Sequence, residues 1–150
     1  MNPPLTEKES AWLAEEGFER CPMAGPFAPA MMPVLCKAEG KHLVFRLEAR
    51  PNHCNGHATL HGGFIATLAD IWLAYNVIHM LPKTVSVVTA SLTVDYLAPI
   101  QAGDILESQI DRVRVGAKLC HASGAILRRG LPVAAMRGSF AVIEGRPAGD

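Results

Sequence analysis

The sequence predicts an α+β domain in which an antiparallel sheet curls round one long, almost wholly apolar helix. Three observations lead there. From Gly62 to Pro82 runs an apolar stretch in which Asp70 is the only charged side chain, long enough for a helix and too continuous to leave one face in water. After Pro82 the pattern turns to period two and stays there, through four runs separated by Gly- and Pro-containing turns. A helix that is apolar on every side, followed by strands with one apolar face each, is buried most completely when the sheet wraps it.

The chain has 150 residues, the size of one domain with a substantial core. Lys+Arg and Asp+Glu both number 14, so the overall electrostatic footprint needed for nucleic-acid binding is missing. Cys21, Cys36, Cys54 and Cys120 are scattered with no C-x-x-C pair, which suggests neither a zinc site nor a disulfide framework and fits free thiols in a reducing cytosol. The opening MNPPLTEKESAW carries two acidic residues and no apolar core, unlike a secretory signal, so a cytoplasmic location is expected. Residues 62 to 82 could span a bilayer by length. Asp70, Asn76, the Gly62-Gly63 pair and the lack of a flanking Lys/Arg cluster favour a buried core helix instead. No P-loop, G-x-G-x-x-G or G-x-S-x-G is present, which leaves nucleotide hydrolysis, dinucleotide redox chemistry and serine hydrolase chemistry unsupported.

Taken in order, Thr6-Glu7-Lys8-Glu9 reads as a capping box opening a short helix to about Glu16, closed by Gly17. Its Trp12 and Leu13, with Phe18, are expected to dock on the domain. Prolines 22, 26, 29 and 33 argue against regular structure from Cys21 to Pro33. Met31 and Met32 there fit core packing better than an apolar channel. Residues 42 to 50 alternate, with Leu43, Phe45, Leu47 and Ala49 on one side, and read as a half-buried strand ended by Pro51. A polar loop from Asn52 to Thr59 leads to the helix. Strands follow over Thr84–Leu97, Asp104–Val115, Leu119–Leu127 and Val133–Ile143, and short turns between them predict an antiparallel meander. The expected organisation is an N-terminal helix and irregular segment over 1–33, the main domain over 34–143 and a tail over 144–150.

Asp70 is the first functional candidate, because an ionised carboxylate inside an apolar helix is costly unless something partners it. A structural carboxylate satisfied within a network is the alternative. Around it lies a pattern: Asn55, then Leu60-His61-Gly62-Gly63, then Asp70 nine residues after His61, then Tyr96-Leu97-Ala98-Pro99 and Ala102-Gly103-Asp104. Over roughly residues 34 to 143 this resembles the hotdog-fold thioesterases, most closely the phenylacetic-acid-pathway and thioesterase-superfamily-member-2 type. The resemblance implies a hotdog fold paired into homodimers, with pairing into homotetramers open, and a coenzyme A thioester as substrate. Coenzyme A would then belong to the substrate, with no separate cofactor and no metal.

The expected chemistry is hydrolysis. Unpaired backbone N–H groups at the helix start suit a carbonyl oxygen that becomes an oxyanion, and Gly62 and Gly63 let substrate approach closely; simple close packing of the helix start is the other reading. Asp70 would act as general base toward water, or as nucleophile. Asp70 lies about 12 Å along the helix from Gly62, so one chain's pair does not easily meet at one reacting atom. Two antiparallel helices across a two-fold axis would pair each Asp70 with the other chain's Gly62, giving shared sites.

By the resemblance, Thr89 supplies a hydroxyl that places the attacking water, although a strand Thr is also ordinary β-propensity. Asn55 matches the family's amide near the thioester carbonyl, with turn chemistry as the alternative. His61 either polarises the thioester or fixes the loop at the helix start. The other histidines, His53, His57, His79 and His121 among them, match no metal spacing and read as surface or packing residues. Phosphates want Arg or Lys, and Arg112, Arg114 and Lys118 flank the turn at Gly116, a basic rim for the nucleotide. An acyl-thioester dehydratase or hydratase on the same fold, and a non-catalytic acyl-CoA-binding protein, are the rival readings.

Overall fold

The computed structural model describes residues 2–145. In chain order the elements are α1 (Glu7–Glu15), β1 (Glu19–Arg20), α2 (Phe27–Met31), β2 (Leu35–Glu39), β3 (His42–Glu48), α3 (Gly62–Met80), β4 (Val85–Tyr96), β5 (Ile105–Arg114), β6 (Leu119–Arg128) and β7 (Leu131–Glu144). The strands form one antiparallel sheet in the order β1-β2-β3-β5-β6-β7-β4. α3 is long and apolar enough to cross a membrane by length and composition, yet strands β3 to β7 all pack against it. Leu68, Ala69, Leu73 and Val77 are fully enclosed, and the Trp72 ring stacks on Phe45 with centroids 6.0 Å apart. Asn76 is also buried. Its amide accepts from Leu43 N–H at 2.8 Å and donates to the Leu43 and Trp72 carbonyls, so the polar group that argued against a lipid setting instead fastens α3 to β3.

The four long strands lie within a residue or two of their expected limits, but they do not form a simple meander. β5, β6 and β7 do; β4 leaves the sequence order and pairs with β7, while β5 pairs with β3. The link from Leu97 to Asp104 is too long for a tight hairpin. It crosses the end of the sheet, held by Leu60 N–H on Ile100 O and Gly103 N–H on Ala49 O. Placing β4 at the far edge is what closes the sheet round the helix. β2 goes unseen in the sequence, as does β1 just before the Pro-rich stretch, and α2 forms within the Cys21–Pro33 stretch expected to be irregular. Met32 is buried in the core, as expected, and Met31 is exposed. Glu144, the first residue of the expected tail, closes β7; 146–150 lie outside the described residues.

The capping box forms as expected: Glu9 N–H donates to Thr6 Oγ1 at 3.2 Å and Thr6 N–H to Glu9 Oε2 at 2.9 Å. Glu9 does more than cap. Its carboxylate is fully buried and meets the Arg50 guanidinium at 2.5 Å, which ties α1 to the chain just after β3. Trp12, Phe18 and Leu35 make a small second core above this pair, with the Arg46 guanidinium 4.4 Å from the Phe18 ring centre. Removing one partner leaves the other charge buried and uncompensated. Arg50→Met is therefore expected to lower stability by about 3 kcal/mol in denaturant unfolding, whereas the outward-facing Lys8→Met, which loses only an exposed contact to Glu48, should cost about 0.5 kcal/mol or less.

Candidate active site

The helix start is built by the loop before it. Arg50 N–H donates to His53 Nδ1 at 3.2 Å and His53 Nε2 meets the Met31 carbonyl at 3.2 Å, which puts the ring proton on Nε2. The ring stacks on Phe64 of α3 with centroids 4.0 Å apart, and the His53 carbonyl accepts from His61 N–H. His53 is thus a packing residue, as expected, and it anchors the approach to α3. Asn55 is used locally: its Oδ1 accepts from His57 N–H at 2.9 Å and Thr59 N–H at 3.3 Å, the side-chain-to-backbone pattern of an Asx turn.

At the N-terminus of α3, His61 is the N-cap and its Nδ1 accepts from Gly63 N–H at 2.9 Å. The imidazole therefore fixes the loop and occupies one of the two donors expected to face substrate. Phe64 and Ile65 N–H bond to the His61 carbonyl. Gly62 N–H has no partner among the described residues, so it is the donor left open. A Cβ on Gly62 would lie 3.6 Å from the Tyr96 ring, and the Tyr96 hydroxyl donates to the Gly62 carbonyl at 2.8 Å. Tyr96 thereby clamps the helix start to the end of β4. The sequence displayed this residue only as part of the Tyr96-Leu97-Ala98-Pro99 motif, with no hint of its hydroxyl's task. Gly62, Ile65, Tyr96, Leu97 and Pro99 border a cleft of about 300 Å³ at this end of the helix.

Asp70 sits farther along α3, half-buried at the open edge of the sheet. Thr89 Oγ1 donates to its Oδ1 at 2.6 Å, a short bond of the charge-assisted kind. Oδ2 has no partner among the described residues. The structure so brings Asp70 and Thr89 together, and Gly62, Gly63 and His61 together. It separates the two groups within one chain and holds Asn55 in its own turn.

Arg112 and Arg114 lie elsewhere. They alternate with Val113, which packs toward α3, so their side chains leave the opposite face of the sheet. There they join Arg137 and His121 round a depression of about 410 Å³; Lys118 is not among its walls. None of these three cations borders the Gly62 cleft. Among the described residues no group of three or more His, Cys, Asp or Glu could hold a metal.

Comparison with known proteins places this architecture. The model of the thioesterase superfamily matches residues 57–135, more than half the chain, and spans α3 and most of the sheet. The chain belongs to the thioesterase superfamily; its sheet wrapped on one helix is the hotdog fold, and its class is thioester hydrolase. A protein of Pseudomonas aeruginosa named as an esterase is 29% identical over 126 residues, covering 83% of this chain and 94% of its own. The phenylacetic acid degradation protein PaaI of Thermus thermophilus, solved as a mutant, is 27% identical with a TM-score of 0.62, covering 70% of this chain and 88% of that one. The BH2602 protein of Bacillus halodurans, solved with CoA, is 31% identical with a TM-score of 0.62, over 67% of this chain and 66% of that one.

Burial is the largest influence on His53 and pushes its pKa below the usual 6.5. The unfolded chain binds that proton more readily, so the neutral ring is no liability above about pH 6.5, and stability falls as pH drops below 6.5 toward the lowered value. Thermal unfolding from pH 8 to pH 5 should show that acid loss. His53→Phe, which keeps a ring against Phe64, should show a smaller one.

Proposed function

We propose that this chain is an acyl-CoA thioesterase that works as a homodimer, with water attacking the thioester carbonyl under general-base assistance from Asp70. The observation that carries this reading is the Asp70 carboxylate, oriented by the Thr89 hydroxyl on one oxygen and open on the other. The open oxygen can take a proton from water as the water attacks. Gly62 N–H, at the positive end of α3, stabilises the developing oxyanion; Gly63 contributes by lacking a side chain, its own N–H being held by His61. His61 positions the helix start rather than touching the substrate.

The dimer follows from two features. Gly62 and Asp70 are too far apart along one helix to share a reacting atom. β4 also lies at the edge of the sheet, and its sequence VSVVTASLTVDY has no Lys or Pro and one acid, so apart from the bulge at Thr89–Ser91 it carries little of the protection that solitary edges have. Two β4 edges joined about a two-fold axis would bring Asp70 of one chain toward the partner's helix start. A coenzyme A ester as substrate is supported by the CoA in the similar Bacillus halodurans structure. Its phosphates are assigned to Arg112 and Arg114. Because those face away from α3, the assignment needs one chain's substrate to reach another chain's outer face, and so a further pairing of dimers. A cytosolic setting suits the four free thiols.

Thiol release from a panel of acyl-CoA esters tests the reading. The wild type is expected to turn over at least one ester, and Asp70→Asn to lose about 100-fold or more in kcat, the scale of a missing general base. Thr89→Val should lose roughly tenfold and Thr89→Ser little, since one hydrogen bond to a charged group is at stake. Arg112→Ala with Arg114→Ala should raise KM and spare kcat, as loss of uniform binding does. Full activity in a folded Asp70→Asn, or in a species that sediments as a monomer, would overturn the proposal.

A further inference from the structure

The four thiols are not equivalent. Cys54 and Cys120 each donate to a backbone carbonyl, Arg50 O at 3.5 Å and Gly116 O at 3.8 Å. Cys21 and Cys36 instead meet each other. The Cys21 thiol, 4.0 Å from the Pro22 carbonyl, also donates to the Cys36 sulfur. Strand pairing puts them there. Glu19 stands opposite Cys36 and Arg20 opposite Leu35, and Cys21 N–H continues the ladder to Val34 O at 2.8 Å. Two steps of register separate Cys21 from Cys36, so both side chains leave the same face of the strand pair as diagonal neighbours. Both lie in the part of the chain that precedes the match to the family model, and the catalytic reading uses neither.

Both side chains are buried, and a buried thiol with no access is inert. These two, however, border a cavity of about 380 Å³ beside Ile78 and Leu81, roughly ten times the 30 Å³ share of a water molecule, so a small oxidant reaches them. The pair is also asymmetric. The hydrogen bond from Cys21 is the largest influence on Cys36 and holds its pKa below the ordinary thiol range, against burial and the charge of Glu19. The same bond, followed by burial, pushes Cys21 up. One thiol is thus set as the nucleophile with a protonated thiol beside it, the arrangement in which an oxidised cysteine is resolved as a disulfide. Diagonal strand neighbours stand somewhat farther apart than a disulfide requires. β1 can close that gap, because it has two residues, lies at the edge of the sheet and is followed by Pro22, which has no N–H to hold it there.

We propose that Cys21 and Cys36 form an oxidisable dithiol, a modification site at which a hydroperoxide produces an intrachain disulfide that ties the N-terminal segment to β2. The Cys36 thiolate attacks the terminal oxygen of the hydroperoxide. A sulfur–oxygen bond forms, the O–O bond breaks, and the departing oxygen takes up the proton that Cys36 had given, leaving as an alcohol, or as water from hydrogen peroxide. The Cys21 sulfur then attacks the Cys36 sulfenic acid; the S–S bond forms, the S–O bond breaks, and hydroxide leaves with the Cys21 proton as water. The two sulfurs lose two electrons and the O–O bond gains them. The loop so closed contains α2, whose Met31 carbonyl holds His53 against the start of α3. A disulfide that draws an edge strand inward is of the labile, reducible kind, which suits a reversible mark in a thiol-rich compartment. The site stands independently of the thioesterase reading.

The test treats the native, reduced full chain with hydrogen peroxide, blocks the remaining thiols with N-ethylmaleimide and maps the peptides by mass spectrometry. A Cys21–Cys36 link is expected within one chain, forming about tenfold or more faster than Cys54 or Cys120 is lost, and dithiothreitol should restore all four thiols. Cys21→Ser, which has no resolving thiol, should stop at a Cys36 sulfenic acid that dimedone captures. Cys36→Ser should leave Cys21 reduced over the same time. A second measurement needs no variant: phenylarsine oxide, whose arsenic binds two neighbouring sulfurs, should add once per wild-type chain and block the peroxide-driven link. The proposal is overturned by a wild type in which Cys54 or Cys120 oxidises first, by a disulfide that joins two chains instead, by dimedone capture of Cys21 in Cys36→Ser as fast as of Cys36 in Cys21→Ser, or by a wild type that takes up no arsenical.

Discussion

The structure depends on the burial of α3. A helix with apolar side chains on every face gains most from leaving water, since each large side chain so enclosed contributes about 1.5–3 kcal/mol, and no flat sheet can cover more than one of its sides. The curl of the sheet, the displacement of β4 to the far edge and the long Leu97–Asp104 crossing all serve that enclosure. So does Asn76, whose amide completes the backbone of Leu43 where β3 meets the helix.

The enclosure is incomplete on one side, and the proposed chemistry draws on that side. β4 is the last strand and its outer edge is unpaired within the chain, so the part of α3 that faces it keeps Asp70 half-exposed beside Thr89. At the helix N-terminus a second gap opens, held by a histidine cap from below and a tyrosine clamp from above. Both devices are short-range: the cap is a backbone-to-ring bond two residues apart and the clamp joins the end of β4 to the first helical carbonyl. A helix start fixed in this way keeps its free N–H pointed at one place, which is what preorganised stabilisation of an oxyanion demands.

The N-terminal segment contributes more than a cover. Glu9, predicted as half of a capping box, is also the buried partner of Arg50, and through Arg50 and His53 the segment reaches the loop that positions α3. A residue whose local role was plain thus carries a long-range role as well, because a carboxylate has enough lone pairs to cap a helix and bind a guanidinium at once. The same segment supplies Cys21, Pro22 and Ala24 to the wall of a cavity beside Ile78 and Leu81 at the far end of α3.

By itself the sequence determined the central helix, the limits of the four long strands, the capping box and the pairing of residue types at the helix start, because each is written in local periodicity or in neighbours a few residues apart. It also pointed to Asp70, since one charge in an apolar run is conspicuous without coordinates. Only the tertiary structure decided that β4 pairs with β7, that Gly63 N–H belongs to His61 while Gly62 N–H stays open, that Tyr96 holds the helix start, and that Arg112 and Arg114 leave the sheet on the side away from Asp70. Those outcomes depend on which strand lies next to which and on the side chain that reaches a donor first. Strand order and side-chain reach arise from burying one helix from all sides, and no stretch of neighbouring residues encodes them.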